Sequence, residues 1–296
     1  MTNRVLDLSE SPAYLKVNLG RLVIERQDQE SISVPLQDIA VLITAHRQIT
    51  LTQAVFTGLM EAGACLVACD GKSMPVGAML PICGHHLQTE RCAQQASAKV
   101  PTCKRLWQQI VKAKIKAQGQ VLYDLHGDDL GIREMRARVK SGDPENVEAQ
   151  AARRYWPALF RDKNFRRDSD GGDANALLNY GYGVLRAQVA RAICGAGLHP
   201  SLGIHHKNKY NAFCLVDDLM EPFRPIVDRA VVQHVTIQGK SEVLDKESKT
   251  ILIGALMKRF VLENESCTLF DVLTRTAVSL VDVFAGKRRT LLLPEI

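Results

Sequence analysis

The first part of the chain alternates between short apolar segments and polar turns. Short, β-branched or alternating segments predict strands, and five of them precede residue 45: VLDLS, AYLKVN, RLVIER, SISVP and DIAVLIT. A helix is predicted over residues 50–64, where apolar side chains recur at roughly helical spacing. Two further strands are predicted over residues 64–69 and 74–80. Residues 1–84 are therefore predicted to form a small β-rich domain.

From about residue 87 the apolar positions follow a helical period, and Pro101, Pro144, Pro200 and Gly239 interrupt the pattern. The predicted helices span residues 87–98, 102–123, 130–140, 146–160, 173–195, 216–234, 246–263 and 268–285. The predicted fold class is α+β. A small N-terminal β-rich domain (1–84) is followed by a larger all-helical domain (85–296), with the connection near residues 81–90.

Composition places limits on location and partners. The chain has 296 residues, 46% of them apolar, which is enough for a sizeable core. No apolar run approaches the ~20 residues that a membrane helix needs, and the N-terminal residues lack the core of a signal peptide. We therefore expect a cytoplasmic protein without a membrane partner. The formal charge of +6 slightly favours anionic partners.

Eight cysteines are present, and in a cytoplasmic chain we expect them to be free thiols. One group leaves a second interpretation open, because it contains residue types that bind zinc: Cys83, His85, His86, Cys92 and Cys103. The group has no paired CxxC arrangement, so its spacing favours thiols over a zinc site.

The stretch LGIHHKNKYNAFCLVDDLMEPFRP (202–225) places two histidines before three carboxylates. In a helix, both Asp217 and Asp218 can share a face with Glu221. Pro222 is tolerated only in a first turn, which predicts a helix start close to residues 218–221. Other interpretations remain open: the aspartates can be helix caps, and Glu221 can pair with Arg224.

A second acidic candidate lies upstream, in GDPENVEAQAARRYW (142–156). Glu148 opens a run of alanines, and alanine-rich helix surfaces permit close approach of another helix. Glu148 can therefore be held near a second helix, or it can be a solvated residue of a first turn, paired to Arg153 or to nothing. The spacing does not decide between these two interpretations.

Four features occur in an order that resembles the CRISPR-associated spacer-acquisition integrase: E-x-x-A-A-R-x-Y-W, then DANALLNYGYGVL (173–185), then GxxH, then DLMEPFRPxxD. The resemblance covers nearly the whole chain and is greatest to the form found in type II CRISPR systems. It implies a metal-dependent DNA integrase and endonuclease that joins 3′-hydroxyl ends of new spacer DNA into the CRISPR array by transesterification.

The resemblance also implies the site residues. It assigns the divalent-metal ligands and catalytic residues to Glu148, His206 and Glu221, with His206 three residues after Gly203. Two carboxylates and one imidazole suit Mg²⁺ or Mn²⁺. His205 is then a neighbour that orients His206 or contacts DNA. Asp218 binds the metal through a water molecule, or it supports the ligands without contacting the metal.

Basic residues follow both parts of the predicted site, and phosphate neutralisation is their expected role. Ordinary solvated surface is the alternative for each of them: Arg161, Lys163, Arg166, Arg167, Lys207 and Lys209. Tyr180 is a further candidate for DNA contact, although it lies in an apolar helix where core packing is at least as plausible.

The resemblance implies macromolecular partners as well. These are double-stranded DNA (protospacer and CRISPR repeat), a second copy of the chain paired through the β-rich domain, and a small ferredoxin-like CRISPR-associated protein. Two other functions are compatible with the composition: a DNA-organising scaffold whose site has decayed, and a small-molecule metallohydrolase. The intact acidic and histidine positions disfavour the first, and the basic residues disfavour the second.

Overall fold

The computed structural model describes residues 3–237, 239 and 242–294. Its N-terminal part is made of eight strands and one helix. The strands are β1 Arg4–Leu8, β2 Ala13–Asn18, β3 Arg21–Glu25, β4 Ile32–Pro35, β5 Ile39–Thr44, β6 Ile49–Leu51, β7 Cys65–Cys69 and β8 Pro75–Met79, and helix α1 is Gln53–Glu61. The predicted β-rich beginning is confirmed, and its helix lies within the predicted range.

The strands form two four-stranded sheets. One has the order β1-β5-β7-β8, with β1 and β7 parallel to β5 and β8 antiparallel to β7. The other has the order β4-β3-β2-β6. Apolar side chains of both sheets and of α1 meet in a small core that contains Leu15, Leu22 and Leu59.

Strand β5 is buried on both faces, which explains why IAVLIT reads as a continuous apolar run. Leu42 packs into the small core between the sheets, whereas Val41 and Ile43 pack into the larger core of the helical part. The first sheet therefore contributes side chains to the cores of both parts of the chain, and the helices pack directly against it.

The remaining chain is mostly helical. Its helices are α2 Gln88–Ala96, α3 Val100–His126, α4 Ile132–Met135, α5 Val147–Phe160, α6 Ala174–Gly195, α7 Cys214–Met220, α8 Arg224–Val232, α9 Lys246–Leu256 and α10 Leu269–Phe284. Most lie close to the predicted ranges, but the helix predicted over 130–140 is only the short α4 followed by one 3₁₀ turn. In the described part of the chain, no helix is both long and apolar enough to span a bilayer.

The prediction of one helix over 246–263 is wrong, and with it the prediction that the second domain is purely helical. Helix α9 ends at Leu256, and a hairpin of strands β9 Arg259–Leu262 and β10 Glu265–Thr268 follows. The two residues between the strands, Glu263 and Asn264, have φ values of 50° and 66°. Positive φ at both positions of a two-residue loop is the requirement of a type I′ hairpin turn.

The helix start predicted near residues 218–221 is also wrong. Helix α7 begins at Cys214, so Asp217 and Asp218 lie inside it and do not cap it. A 3₁₀ turn, Glu221–Phe223, then separates α7 from α8. Pro222 explains the break, because proline has no N–H for the helical hydrogen bond. The turn directs Glu221 towards α3.

Candidate active site

Two of the predicted ligands meet at one cation that the sequence reasoning missed. The Nζ atom of Lys114 lies 2.5 Å from Oε1 of Glu148 and 2.5 Å from Oε2 of Glu221. Lys114 comes from α3, Glu148 from α5, and Glu221 from the turn between α7 and α8. Since both oxygens contact the same nitrogen, they can be no farther apart than twice that distance.

Glu148 is held by the way α5 begins. The carboxylate of Asp143 accepts hydrogen bonds from the N–H groups of Val147 and Glu148, both at 3.0 Å. Asn146 is the N-cap, and its side chain accepts from the N–H of Ala149. These bonds satisfy N–H groups that a helix start leaves free. They also fix the backbone from which Glu148 reaches Lys114, so Glu148 is held near a second helix.

Glu221 is buried, with 7% of its surface exposed. Arg224 Nε donates a 2.8 Å hydrogen bond to its Oε1 atom, as one interpretation of the sequence expected. Burial by itself raises the pKa of Glu221, but the charges of Arg224 and Lys114 outweigh burial and lower that pKa to about 2. Glu221 is therefore an anion at neutral pH.

Lys114 is a cation at neutral pH because two carboxylates lie beside it. Burial lowers the pKa of Lys114, but the carboxylates of Glu221 and Glu148 have the larger combined effect and raise the pKa above its ordinary value. The sequence does contain a signal for this residue. Lys114 lies on α3 in the stripe of buried positions that includes Val111, Ile115 and Gln118. A lysine in such a stripe needs an acidic partner.

His206 is held by Asp218. Its Nδ1 atom lies 2.6 Å from Oδ1 of Asp218, which is fully buried. The same carboxylate accepts hydrogen bonds from the backbone N–H groups of Ile204, His205 and His206 at 2.6, 2.9 and 3.2 Å. Chiefly through the side-chain hydrogen bond, Asp218 raises the pKa of His206, although partial burial opposes it. Asp218 is thus the organiser of the loop that carries the histidines.

Steric crowding explains why the first residue of the GxxH motif, Gly203, is a glycine. A Cβ atom on Gly203 would lie 2.3 Å from the carbonyl oxygen of His206 and 3.0 Å from Oδ2 of Asp218. Both contacts involve the groups that hold the loop in place, and the nearer atom belongs to backbone. Only glycine therefore fits at this position without moving His206.

His205 points elsewhere. Its ring stacks on Trp107 with a centroid distance of 4.1 Å and an interplanar angle of 3°, whereas His206 meets the same indole edge-on at 5.6 Å. Partial burial lowers the pKa of His205, which favours the neutral ring. Trp107 is a second site residue that the sequence reasoning missed, and its place on an apolar helix gave no signal of this contact.

The donor groups suit a divalent cation, although the structure does not gather all three predicted ligands. Two carboxylate oxygens, one from Glu148 and one from Glu221, already contact a single positive charge. His206 faces Asp218 instead of joining the two glutamates. Within residues 3–237, 239 and 242–294, no three His, Cys, Asp or Glu side chains are arranged to hold a metal ion.

That finding also covers the cysteine and histidine group near residue 83. Cys83 is exposed, and the rings of His85 and His86 stack on each other at 4.3 Å. Cys92 directs its thiol to the carbonyl of Gly197. All eight cysteines are free thiols, as expected, and the structure gives no support to the zinc interpretation.

Most of the basic candidates are exposed to solvent, and one is held by hydrogen bonds within the protein. Arg161, Lys163 and Arg166 are exposed beside α5. Arg167 has a structural role, because it donates hydrogen bonds to the side chains of Asn175 and Asn179. Lys207 and Lys209 are exposed and line a cavity of about 690 Å³ that the two histidines and Trp107 also line.

Tyr180 is not available to DNA. Its side chain is fully buried, and its hydroxyl donates a 2.8 Å hydrogen bond to Asp7 on β1. The alternative of core packing therefore describes this residue. Asp217 likewise has a structural partner, since Arg186 donates two hydrogen bonds to its carboxylate at 2.7 and 2.8 Å.

A buried carboxylate behind the site was not anticipated. Asp228 on α8 accepts hydrogen bonds from the hydroxyls of Tyr155 and Tyr182. Burial is the largest influence and raises the pKa of Asp228 to about 6, although both tyrosines oppose it. The guanidinium of Arg224 lies 4.6 Å from the centre of the Tyr182 ring. Asp228 is thereby linked to Glu221 through Tyr182 and Arg224.

Comparison with known proteins decides the family. The model of the family described as CRISPR associated protein Cas1 matches residues 6–264. The chain belongs to the Cas1 family. It is 38% identical over 301 residues to the CRISPR-associated endonuclease Cas1 of Neisseria meningitidis serogroup C, covering 100% of this chain and 97% of that relative. A Cas1 endonuclease of Pyrobaculum aerophilum is 28% identical over 84% of this chain and 88% of its own. The resemblance seen in the sequence is confirmed.

Solved structures agree with the Cas1 fold. A casposase bound to an integration product aligns with a TM-score of 0.82 at 22% identity, covering 97% of this chain and 92% of the casposase. A CAS1 protein from Thermotoga maritima aligns with a TM-score of 0.77 at 16% identity, covering 96% of this chain and 98% of its own. The observed fold, β-rich first and mostly helical afterwards, is therefore that of the Cas1 family.

Proposed function

We propose that the protein is a divalent-metal-dependent DNA integrase and endonuclease of CRISPR adaptation. The observation that carries this proposal is the convergence of Glu148 and Glu221 on one positive charge, contributed by separate parts of the helical fold. A histidine fixed by a buried aspartate lies on the neighbouring loop. Exposed basic residues lie on both sides of this arrangement and suit phosphates.

The names of the similar proteins support the same activity. The relative from Neisseria meningitidis is called an endonuclease, and the structural neighbour with the TM-score of 0.82 is a casposase bound to the product of integration. Another neighbour is a complex in which Cas1 is joined with Cas2. For this chain we infer the same substrate class, double-stranded DNA of the protospacer and the CRISPR repeat.

Glu148, Glu221 and His206 would hold Mg²⁺ or Mn²⁺ in the place that Lys114 takes between the two glutamates. When bound, such a metal neutralises charge on a phosphodiester and increases the reactivity of an attacking hydroxyl. Lys114 is then the residue that must move, because its ammonium and a dication cannot share the same two oxygens.

The chain's own residues prepare this site. Arg224 keeps Glu221 in one orientation, and Asp143 does the same for the first turn of α5 and hence for Glu148. The hydrogen bond between Asp218 and Nδ1 of His206 leaves Nε2 as the free ring nitrogen of the neutral imidazole. All three side chains are thus constrained before DNA arrives, which lowers the cost of positioning the reacting atoms.

The proposed reaction is a direct transesterification. The 3′-hydroxyl oxygen of the incoming DNA forms a bond to a phosphorus atom of the target strand, and the target's own 3′-oxygen leaves with a proton. No bond between enzyme and DNA is formed. With water in place of the 3′-hydroxyl, the same arrangement hydrolyses the strand, which accounts for endonuclease activity.

We further propose two protein partners on the basis of the family. One is a second copy of this chain, paired through the β-rich domain, and the other is a small ferredoxin-like CRISPR-associated protein. The neighbour in which Cas1 is joined with Cas2 supports the second partner.

Strand transfer on branched DNA that carries a 3′-hydroxyl flap, with Mn²⁺ present, tests the proposal. We expect Glu148→Gln, His206→Ala and Glu221→Gln each to abolish joining while DNA binding survives. Glu145→Gln is the matched control, because Glu145 lies exposed before the same helix and pairs with Lys140 away from the site. Retained joining in all three variants would contradict the proposal. DNA binding without joining by the unmodified protein would indicate a scaffold.

A further inference from the structure

Asp228 is a buried carboxylate that the proposed reaction does not use. It lies on α8 with 1% of its surface exposed, and its two oxygens accept hydrogen bonds from two other helices. Oδ2 accepts from the hydroxyl of Tyr155 on α5 at 3.0 Å, and Oδ1 accepts from the hydroxyl of Tyr182 on α6. One side chain therefore connects three helices inside the core.

The hydrogen bond to Tyr155 reaches the helix that carries Glu148. Tyr155 follows Glu148 by seven residues, which corresponds to two turns of α5, or about 10 Å along its axis. Because seven residues are close to a whole number of helical turns, the two side chains project from the same face. Holding Tyr155 against α8 therefore fixes the rotation of α5 and the direction in which Glu148 points.

The hydrogen bond to Tyr182 reaches Glu221 by a second route. Arg224 lies one turn before Asp228 on the same face of α8, and its guanidinium lies 4.6 Å from the centre of the Tyr182 ring. The hydroxyl of that ring is held by Asp228, while its face contacts Arg224. Arg224 in turn donates the 2.8 Å hydrogen bond to Oε1 of Glu221. The position of the ring thus limits the orientation of Glu221.

The helices α6 and α8 approach each other closely at this point. A Cβ atom on Gly181 would lie 2.4 Å from Cγ1 of Val227, so glycine permits the observed spacing. Tyr155 and Tyr182 are buried as well. Densely packed interiors transmit strain, because side chains there have little room to move. A displacement of Asp228 is therefore passed on to both helices that it contacts.

A contribution to stability does not by itself explain Asp228. Burial raises its pKa to about 6, which shows that the surroundings disfavour the charged carboxylate. Apolar residues of similar volume often stabilise a core as well as buried charged groups do, or better. Buried polar networks in which each member has a partner instead specify one arrangement of the packed elements. The elements arranged here carry two of the residues that we propose as metal ligands.

We propose that Asp228 is a positioning residue: it sets the separation of Glu148 and Glu221 by holding one tyrosine of α5 and one of α6. This inference rests on the proposed function, because that function makes the two glutamates metal ligands. It adds that their separation is determined from behind the site, by a carboxylate that contacts neither the metal nor the DNA.

Two phenylalanine variants remove the two hydrogen bonds separately and keep the rings. Tyr155→Phe releases α5, and Tyr182→Phe releases the ring that contacts Arg224. Tyr180→Phe is the matched control, because Tyr180 is also buried on α6 and also donates to an aspartate, Asp7, away from the site. Each variant loses one tyrosine–aspartate hydrogen bond, so chemical unfolding should show similar losses of stability in all three.

Mn²⁺ binding in the absence of DNA gives a measurement that does not depend on catalysis, and electron paramagnetic resonance of the free ion follows it. Loss of a hydrogen-bond partner behind a metal ligand typically weakens metal binding by about tenfold to a hundredfold. We expect a loss in this range for Tyr155→Phe and for Tyr182→Phe, and unchanged affinity for Tyr180→Phe. Asp228→Asn keeps one acceptor oxygen, so it should lose less affinity than the double variant Tyr155→Phe/Tyr182→Phe.

Strand transfer adds a second measurement on the same variants. Tyr155→Phe and Tyr182→Phe should need correspondingly more Mn²⁺ for the half-maximal rate. The KM for DNA should stay unchanged, because both tyrosines are buried and do not reach the DNA.

Unfolding in chelator tests the positioning without any metal. Lys114 bridges Glu148 and Glu221, so its contribution to stability depends on their separation. Substitutions at distant, unconnected sites have additive effects on the free energy of unfolding, whereas substitutions within one network do not. We therefore expect Lys114→Met and Tyr182→Phe together to cost less than the sum of the two single variants. The same cycle with Tyr180→Phe should be additive.

The outcomes separate this inference from the proposed function. Absent Mn²⁺ binding and absent strand transfer by the unmodified protein would overturn the proposed function, while a non-additive cycle with Lys114 would still support the positioning role. Normal Mn²⁺ affinity in folded Tyr155→Phe and Tyr182→Phe would overturn the inference even for an active integrase. Equal weakening in Tyr180→Phe, or an additive cycle of Lys114→Met with Tyr182→Phe, would overturn it as well.

Discussion

Lys114 and Glu221 form an ion pair at 2.5 Å between α3 and the turn that separates α7 from α8. The same ammonium contacts Glu148 on α5 at 2.5 Å, so one side chain connects three segments of the helical part. Both acidic partners are the residues that we propose as metal ligands. Lys114 therefore supplies the positive charge that holds two carboxylates of like charge close together.

Replacement of Lys114 by methionine should make stability depend on a divalent cation. Removing one partner of a buried ion pair costs roughly 3–5 kcal/mol. We expect about 3 kcal/mol here, since Glu221 retains Arg224. Chemical unfolding of Lys114→Met with chelator and with Mn²⁺ measures the effect, and Mn²⁺ should restore most of the loss.

Lys112→Met is the control for this experiment, because Lys112 lies on the same helix and has no ion pair among the described residues. It should lose little stability and show little response to chelator. Equal stability of Lys114→Met and Lys112→Met in chelator would show that the bridge between the glutamates does not stabilise the fold.

Replacement of Asp218 by asparagine should release His206. Asp218 is the main reason that the pKa of His206 is raised, through the 2.6 Å hydrogen bond to Nδ1. In Asp218→Asn the pKa of His206 should fall, and the amide cannot replace an anion that accepts three backbone N–H groups. NMR titration of the histidine ring measures the change. Asp217→Asn, on the neighbouring residue, should leave the pKa of His206 nearly unchanged, and equal shifts in both variants would exclude a specific role of Asp218.

Replacement of Gly203 by alanine should move His206. The new Cβ atom would lie 2.3 Å from the His206 carbonyl, so the loop must shift. Overpacking costs about 1–3 kcal/mol, and a displacement of about 1 Å at an active site can reduce the rate about a hundredfold. Strand transfer and thermal unfolding measure the two effects.

Gly254→Ala provides the comparison for Gly203, because Gly254 lies inside helix α9 and a Cβ atom there would meet nothing within 4 Å. Alanine in a helix interior is favoured over glycine by roughly 0.5–1 kcal/mol. We therefore expect slightly higher stability and unchanged strand transfer. If Gly203→Ala behaved in the same way, the steric account of the GxxH motif would be wrong.

Asp228 should make stability depend on pH between about pH 4 and 6. Burial raises the pKa of Asp228 from 3.8 to about 6 in the folded protein. The folded state therefore holds this proton more tightly than the unfolded state. The contribution is fully present below pH 3.8 and is lost as the pH rises through 6.

Thermal unfolding of the unmodified protein and of Asp228→Asn across this range tests the effect. The asparagine side chain does not titrate, so the difference in stability between the two proteins isolates Asp228. We expect the unmodified protein to lose stability relative to the variant as the pH rises from 4 to 7. A difference that is constant over this range would contradict a raised pKa.

The sequence by itself determined the class of the fold, and it predicted which residues are reactive. Alternating segments such as AYLKVN and the helical period after residue 87 specify the local structure, because each pattern buries one face of its element. The order of the motifs indicated the family and singled out Glu148, His206 and Glu221. The periodicity of apolar residues gave wrong predictions at two places: the hairpin after α9 and the break at Pro222.

Only the tertiary structure decided how these residues meet. Lys114 lies far from Glu148 and Glu221 in the chain. Its place in an apolar stripe indicates that it needs an acidic partner, but the sequence does not specify which residue that partner is. The stacking of His205 on Trp107 likewise depends on the packing of distant segments of the chain. A sequence pattern records which face of an element is buried, whereas the packing of the elements determines what that face contacts.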